Sequence, residues 1–293
     1  MRRRYSIKRW IIPIVAVFMM VGGLAVFLYP ALSNFLFEYE QRSAIASYKK
    51  QVAETDSNKL SEMASKAQEY NNALLELPSP LVSAQRDLTE DDDILDLGAS
   101  GIIGYIDIEK LGLHLPIRHG TDEKTLQTAV GHLKGSSFPI GGQGTHSVLV
   151  AHNGLPSAKL FTDIDQLKKD DVFRVTVLAQ VYDYRIDQIL IVLPEEVEKE
   201  LAILPGEDKI TLMTCTPYGV NTHRLLVRGT RYLPETNEKM SGKVHSDSFW
   251  RGIIGMVLLS VTSAGVKNTK KKFIKEEVYF SLHFIGDFPI KNL

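Results

Sequence analysis

TLMTCTPYGVNTHRLLVRG, residues 211–229, decides the fold of this chain. It reads as strand, turn, strand. From Lys209 to Cys215 the side chains alternate. Ile210, Leu212 and Thr214 fall on one face, and Thr211, Met213 and Cys215 on the other. Pro217 prevents simple continuation, and Pro217–Gly219 is turn chemistry. His223–Arg231 reads as the next strand. If the two strands are neighbours, the eight-residue link returns Arg224 to the vicinity of Cys215.

The same texture extends on both sides. IIGYIDI (102–108), LHLPI (113–117), HSVLVA (146–151), VFRVTVLA (172–179) and VYDYRIDQILIV (181–192) are rich in β-branched and aromatic residues. So many short strands between Ile102 and Leu233 predict a closed barrel or a sandwich, mainly β. Short helices are expected at 122–130, 157–166 and 194–202.

Upstream, Leu60, Met63, Ala67, Tyr70 and Leu74 recur at helical spacing, with Ser57 or Asn58 as a candidate cap. Ile45, Tyr48 and Val52 mark an earlier helix. Together they predict a helical stalk packed on the β domain, and the repeat is too short for a coiled coil. Pro78 and Pro80 end it. The acidic stretch that follows lacks the Asp-x-Asp-x-Asp-Gly order of a calcium loop.

Trp10–Leu36 is almost wholly apolar and longer than the roughly 20 residues that span a bilayer. It reads as an uncleaved anchor, with the basic MRRRYSIKR flank cytoplasmic and the following chain outside. Phe249–Val266, followed by KNTKKK, is a second candidate span, the alternative being an ordinary surface or core helix. The net charge of −1 offers no electrostatic case for nucleic acid. One cysteine excludes an internal disulfide framework. In an exported domain that leaves a reactive thiol, an intermolecular bridge or an inert buried residue.

A thiol beside a fixed cation is a recipe for thiolate stabilisation or oxyanion binding. HSVLVAHNG ends a strand at His152, and a histidine near a thiol can serve as acid and base in acyl transfer. Seven other histidines compete for that role: His114, His119, His132, His146, His223, His245 and His283. Spacing alone does not choose among them. No metal-ligand spacing is present, so no metal is expected.

TLMTC with TPYGVNTHRLLVRG, together with GHLKGSSFPIGGQGTHSVLVAHNGLPSAKLFTDIDQLKKDD (131–171), resembles class C sortases. These are the pilin-polymerising transpeptidases of Gram-positive bacteria. The likeness extends more loosely over 102–233, and the anchor, stalk and second apolar segment fit the same class. It implies a sortase-type closed β-barrel with short helices, preceded by a helical stalk and flanked by transmembrane helices.

By that resemblance Cys215 is the nucleophile, His152 the acid and base, and Arg224 the oxyanion-stabilising arginine. The implied reaction cleaves an LPxTG-like sorting signal between Thr and Gly through a thioacyl intermediate. The acyl group then passes to a lysine amine of a second pilin, without a cofactor. The implied partners are pilin subunits and the membrane, with the catalytic domain extracellular. The same triad serves a sortase that attaches proteins to cell-wall peptidoglycan. A non-catalytic membrane-anchored binding domain is the reading from another class.

The expected layout is a basic tail (1–9), anchor (10–36), stalk (37–78), lid-like loop (79–101) and catalytic barrel (102–235). A linker (236–248), the second candidate span (249–266) and a basic tail (267–293) follow. The Asp-Pro-aromatic lid motif of class C is missing. Residues 84–100 occupy its place, where an aspartate among Asp91–Asp93 near Arg224 and Ile94, Leu95 or Leu97 over Cys215 could substitute, the alternative being an open loop that does not gate. Residues 192–207 are expected, by the same likeness, to help form the sorting-signal groove.

Overall fold

A tyrosine hydroxyl shows how the helical arm is tied to the β domain. Tyr48 Oη donates to the Ile103 carbonyl at 3.0 Å and accepts from Leu178 N–H at 2.9 Å. The ring is buried, and that burial pushes the hydroxyl's pKa up to about 12. The computed structural model that shows this describes residues 4–77, 94–98 and 101–233. The second candidate span at 249–266, the linker and C-terminal tail, and most of the lid-like loop lie outside the described residues.

Helix α1 runs unbroken from Arg4 to Glu54 and holds Pro13 and Pro30 within it. Its span from Ile11 is long and apolar enough to cross a membrane, and its most apolar stretch is unburied. Beyond that stretch, Gln41, Ile45, Tyr48 and Val52 turn one stripe onto the barrel. Helix α2, Ser57–Leu75, follows a two-residue break. Its N-cap is Asp56, one residue before the expected Ser57 or Asn58, and its carboxylate accepts from Asn58 N–H at 2.8 Å. Met63, Ala67, Tyr70, Asn71 and Leu74 form the buried face. Asn71 clamps the Phe138 backbone: Nδ2 donates to the carbonyl at 3.1 Å and Oδ1 accepts the N–H at 2.7 Å.

Eight strands follow: β1 Ile102–Ile108, β2 Leu113–His119, β3 Val130–His132, β4 Thr145–Val150, β5 Val172–Val177, β6 Gln180–Val192, β7 Asp208–Thr216 and β8 His223–Tyr232. They close into a barrel in the order β1-β2-β3-β4-β7-β8-β6-β5. β2–β3 and β4–β7 are parallel and the other neighbours antiparallel. Closure leaves no free sheet edge. The interior is filled by Ile106, Leu115, Leu149, Phe173, Val175, Ile186, Leu212 and Val227, among others. Each fully buried Val, Leu, Ile or Phe contributes roughly 1.5–3 kcal/mol.

Helix α3, Glu123–Thr128, is capped by Asp122 and precedes β3. The β6–β7 connection carries a 3-10 turn, Pro194–Glu196, and the short helix α4, Val197–Glu200. The helix expected at 157–166 forms only a 3-10 turn at Ile164–Gln166. Leu160, at φ +36°, interrupts any longer helix. From the lid-like loop, Ile94, Leu95 and Leu97 pack on the main core cluster. His119 Nε2 donates to the Ile94 carbonyl at 2.5 Å.

Candidate active site

Alternation along β7 decides which way the thiol faces. Ile210, Leu212 and Thr214 are buried, while Met213 and Cys215 are half-buried on the outer face. Cross-strand partners share a face, so Cys215 and its β8 partner Arg224 point the same way. Arg224 is in turn paired with Val192 of β6. On the other side, parallel β4 sets Val150 opposite Met213. Cys215, Arg224 and Val192 therefore share one rung of β7, β8 and β6, and the chain leaves β4 at Val150, two residues before His152.

The end of β4 is clamped to β7 beyond the last ladder pair. Ala151 N–H donates to the Met213 carbonyl at 3.2 Å. Thr214 Oγ1 donates to the Ala151 carbonyl at 2.7 Å, and Asn153 Nδ2 donates to the Cys215 carbonyl at 3.0 Å. Phe161 N–H donates to the His152 carbonyl at 3.1 Å. Four hydrogen bonds therefore fix the backbone around His152 before its side chain does anything. Gly154, at φ +86°, closes the turn, and an added Cβ would lie 2.4 Å from the Tyr218 ring. Tyr218 follows Pro217 in the β7–β8 link, so this contact joins the two loops that flank the thiol.

The His152 imidazole is partly buried. Its Nε2 is sealed from solvent, has no hydrogen-bond partner among the described residues and lies 3.9 Å from the Glu123 carboxylate of α3. Arg224 Nη1 donates to the Asn221 and His223 carbonyls at 3.2 and 3.1 Å, which holds the guanidinium at the mouth of the β7–β8 link. Cys215 is a free, partly exposed thiol.

The structure sorts most of the competing histidines. His114 Nδ1 pairs with Asp107. His119 is tied to Ile94, and His132 is buried, stacked on Phe138. His146 is buried against Thr211. His223 neighbours Arg224 but alternates to the other strand face, beside Thr222. His245 and His283 lie outside the described residues. No cluster of metal-ligating side chains occurs among the described residues. Glu123 and Asn153 escape a sequence reading. Glu123 is 29 positions from His152 in a three-dimensional neighbourhood no spacing predicts, and Asn153 reads only as a turn residue.

Comparison with known proteins agrees with this fold. The family profile described as a sortase domain matches residues 106–232. A sortase A of Bacillus anthracis is 31% identical over 128 residues, which is 44% of this chain and 59% of that protein. The chain thus spans less than two thirds of that curated relative. Solved structures match more completely. A sortase C1 of Streptococcus agalactiae is 44% identical with a TM-score of 0.60, covering 66% of this chain and 100% of that one. A Clostridium perfringens sortase C, solved with the C-terminal cell wall sorting motif, is 39% identical with a TM-score of 0.58. That match covers 66% of this chain and 99% of the other.

Proposed function

Because this chain belongs to the sortase family, with class C sortases among its solved relatives, we propose that it is a membrane-anchored cysteine transpeptidase that polymerises pilins. The observation that supports the proposal is the pairing of Cys215 with Arg224 on the outer face of β7 and β8, with the end of β4, which leads into His152, bonded to β7 beside them. The Cys215 thiolate attacks the Thr–Gly carbonyl of an LPxTG-like signal, forming a C–S bond and a tetrahedral oxyanion. The Arg224 guanidinium and backbone N–H groups stabilise that charge. His152 delivers a proton to the glycine nitrogen as the C–N bond breaks, leaving a thioacyl enzyme. A neutral lysine amine of a second pilin attacks the thioester, His152 takes its proton, and the C–S bond breaks to regenerate the Cys215 thiolate. Both steps are acyl transfers, so the energy of the cleaved peptide bond is retained in the new amide.

α1 supplies the anchor: its apolar span at about 1.5 Å per residue exceeds the roughly 30 Å hydrocarbon core. The barrel then works outside the cell, a short distance from the membrane. The Clostridium perfringens structure with its sorting motif supports an LPxTG-type donor here. The β6–β7 segment, residues 193–207, forms one wall of the groove that receives it.

The test incubates the full chain in detergent with a pilin bearing its sorting signal. Reduction-resistant, high-mass ladders are expected from the wild type and not from Cys215→Ala, which keeps the wild-type melting temperature. Linkage only to short wall peptides would replace pilin polymerisation with wall attachment. Absence of any thioacyl adduct on Cys215 would overturn both.

A further inference from the structure

Most residues of the segment 193–207 are exposed, and Leu201 is its one buried side chain. Ile203 packs on the main core cluster, and at the segment's end the Glu207 carbonyl accepts from Gly144 N–H at 2.7 Å and Thr145 N–H at 3.0 Å. The barrel supplies a further attachment. His146, on β4, is 2% exposed and spans two partners: Nδ1 lies 3.0 Å from the Ala202 carbonyl and Nε2 lies 2.8 Å from Thr211 Oγ1. Thr211 shares its face of β7 with Met213 and Cys215.

The chemistry of the partners fixes the tautomer. A carbonyl oxygen only accepts, so Nδ1 carries the proton and donates to Ala202. Nε2 is then the acceptor, and the Thr211 hydroxyl donates to it. Both ring nitrogens are satisfied and the imidazole has no freedom to turn. We propose that His146, held as the Nδ1–H tautomer between Thr211 and Ala202, is a positioning residue that fixes segment 193–207 over the barrel and so sets recognition of the sorting signal.

The surroundings keep this tether neutral. Burial is the largest influence and pushes the His146 pKa down to about 4. The charged groups around it are Lys209, its cross-strand partner, with Glu207 and Arg228. Lys209 is paired with Glu207, and Arg228 is held by both carboxylate oxygens of Asp187. The two cations oppose a third positive charge, so the tether persists across the physiological range. The recognition role rests on the transpeptidase reading above, whereas the tautomer and the loop attachment do not.

The experiment uses the full chain in detergent micelles and a fluorogenic Leu-Pro-Glu-Thr-Gly peptide. Imidazole 15N spectra should place the His146 proton on Nδ1, and a proton on Nε2 would overturn the assignment. His146→Ala should raise KM about tenfold, the equivalent of one lost buried hydrogen bond, while kcat changes less than about twofold. Its amides at 201–204 should exchange faster. His146→Asn, whose Nδ2 can replace the Nδ1–H donor, should recover most of the KM and the exchange protection. A purely structural role would lower the melting temperature equally in both variants and leave KM unmoved, which would refute the proposal. If His146→Ala does not fold, His146→Asn compared with Thr211→Val decides: loss of the Ala202 bond, and not of the Thr211 bond, must be what releases the segment. Should the wild type form no thioacyl adduct, the transpeptidase reading and the recognition role fall together, and the exchange and tautomer data still judge the tether.

Discussion

Thr214→Val tests whether the clamp between β7 and the end of β4 serves catalysis. The hydroxyl donates to the Ala151 carbonyl at 2.7 Å, and both residues are 2% exposed. Valine keeps the shape and removes the donor. Stripping a buried carbonyl of its partner costs about 1–3 kcal/mol. The added methyl, facing the core, recovers about 0.8 kcal/mol of that. The net loss is about 0.2–2.2 kcal/mol, and at about 2–4 °C per kcal/mol the melting temperature should fall by no more than about 9 °C. Activity should fall further than stability, because Ala151 precedes His152 directly. With the proton donor displaced, kcat/KM for a sorting-signal peptide should drop at least about tenfold, or about 1.4 kcal/mol of transition-state stabilisation. Alkylation of Cys215 by iodoacetamide should be little changed, since β7 remains paired with β8. If the melting temperature falls as calculated while kcat/KM stays within about twofold of wild type, the clamp maintains the fold alone and the reasoning fails.

Three further outcomes follow from other parts of the structure. His132 and His146 are both held down to about 4 from 6.5 by burial. A histidine depressed in the folded state contributes stability above its unfolded pKa and loses it as pH falls through the folded one. Urea unfolding should therefore show stability declining from about pH 6.5 toward 4, by roughly 3 kcal/mol for each histidine at most. A flat profile between about pH 6.5 and 5 would contradict it. Tyr48→Phe removes the hydroxyl shared by Ile103 and Leu178 and should cost about 1–3 kcal/mol in thermal denaturation. Gly154→Ala should lower kcat/KM, because the new Cβ meets the Tyr218 ring and the positive φ disfavours any side chain. Tyr218→Ala in the same chain should recover part of the loss, since it relieves the contact but not the backbone.

The strands are legible where alternation and β-branching are strong. All seven runs that read as strands in the sequence are strands in the barrel, within a few residues at their ends. β3 escapes because Val130–His132 is too short to show a period, and all three residues are buried. The end of the expected helix at 122–130 falls on it. The segment 157–166 has helical composition, but Leu160 in the left-handed region is a property of the backbone path that no composition reveals. The hairpin from Cys215 to Arg224 is readable because its strands are consecutive. The choice of His152 is not, because it depends on β4 and β7 lying side by side although two strands intervene in sequence. Only the resemblance singles it out. The loop expected to cover Cys215 is another case. Ile94, Leu95 and Leu97 are aliphatic enough for that task; they pack on the main core cluster, and the rest of the loop lies outside the described residues. Hydrophobicity states that a side chain will be buried and not where.

The rung itself is held in place from a distance. A one-residue slip of β8 on β7 would set Leu225 against Cys215 and turn Arg224 to the interior. Core packing opposes that slip at the far end of the hairpin. Gly229 sits opposite Ile210, where a Cβ would lie 2.7 Å from the Phe173 ring and 3.0 Å from Tyr184 Cβ, so only a glycine fits at that level. On the other side of β8, the β6 register shifts between Ile186 and Gln188. Asp187 is the extra residue of this bulge, and it moves the partner of Arg224 from Ile191 to Val192. Its carboxylate receives Arg228 at 3.1 and 2.8 Å and Thr230 at 3.2 Å, which fixes the bulge to β8. The pairing of Arg224 with Cys215 is thus set by a glycine and an aspartate at other positions of the sheet. A substitution at Gly229 or Asp187 acts on the site through register, and its signature is a change in which residues pair rather than the loss of a contact at Cys215.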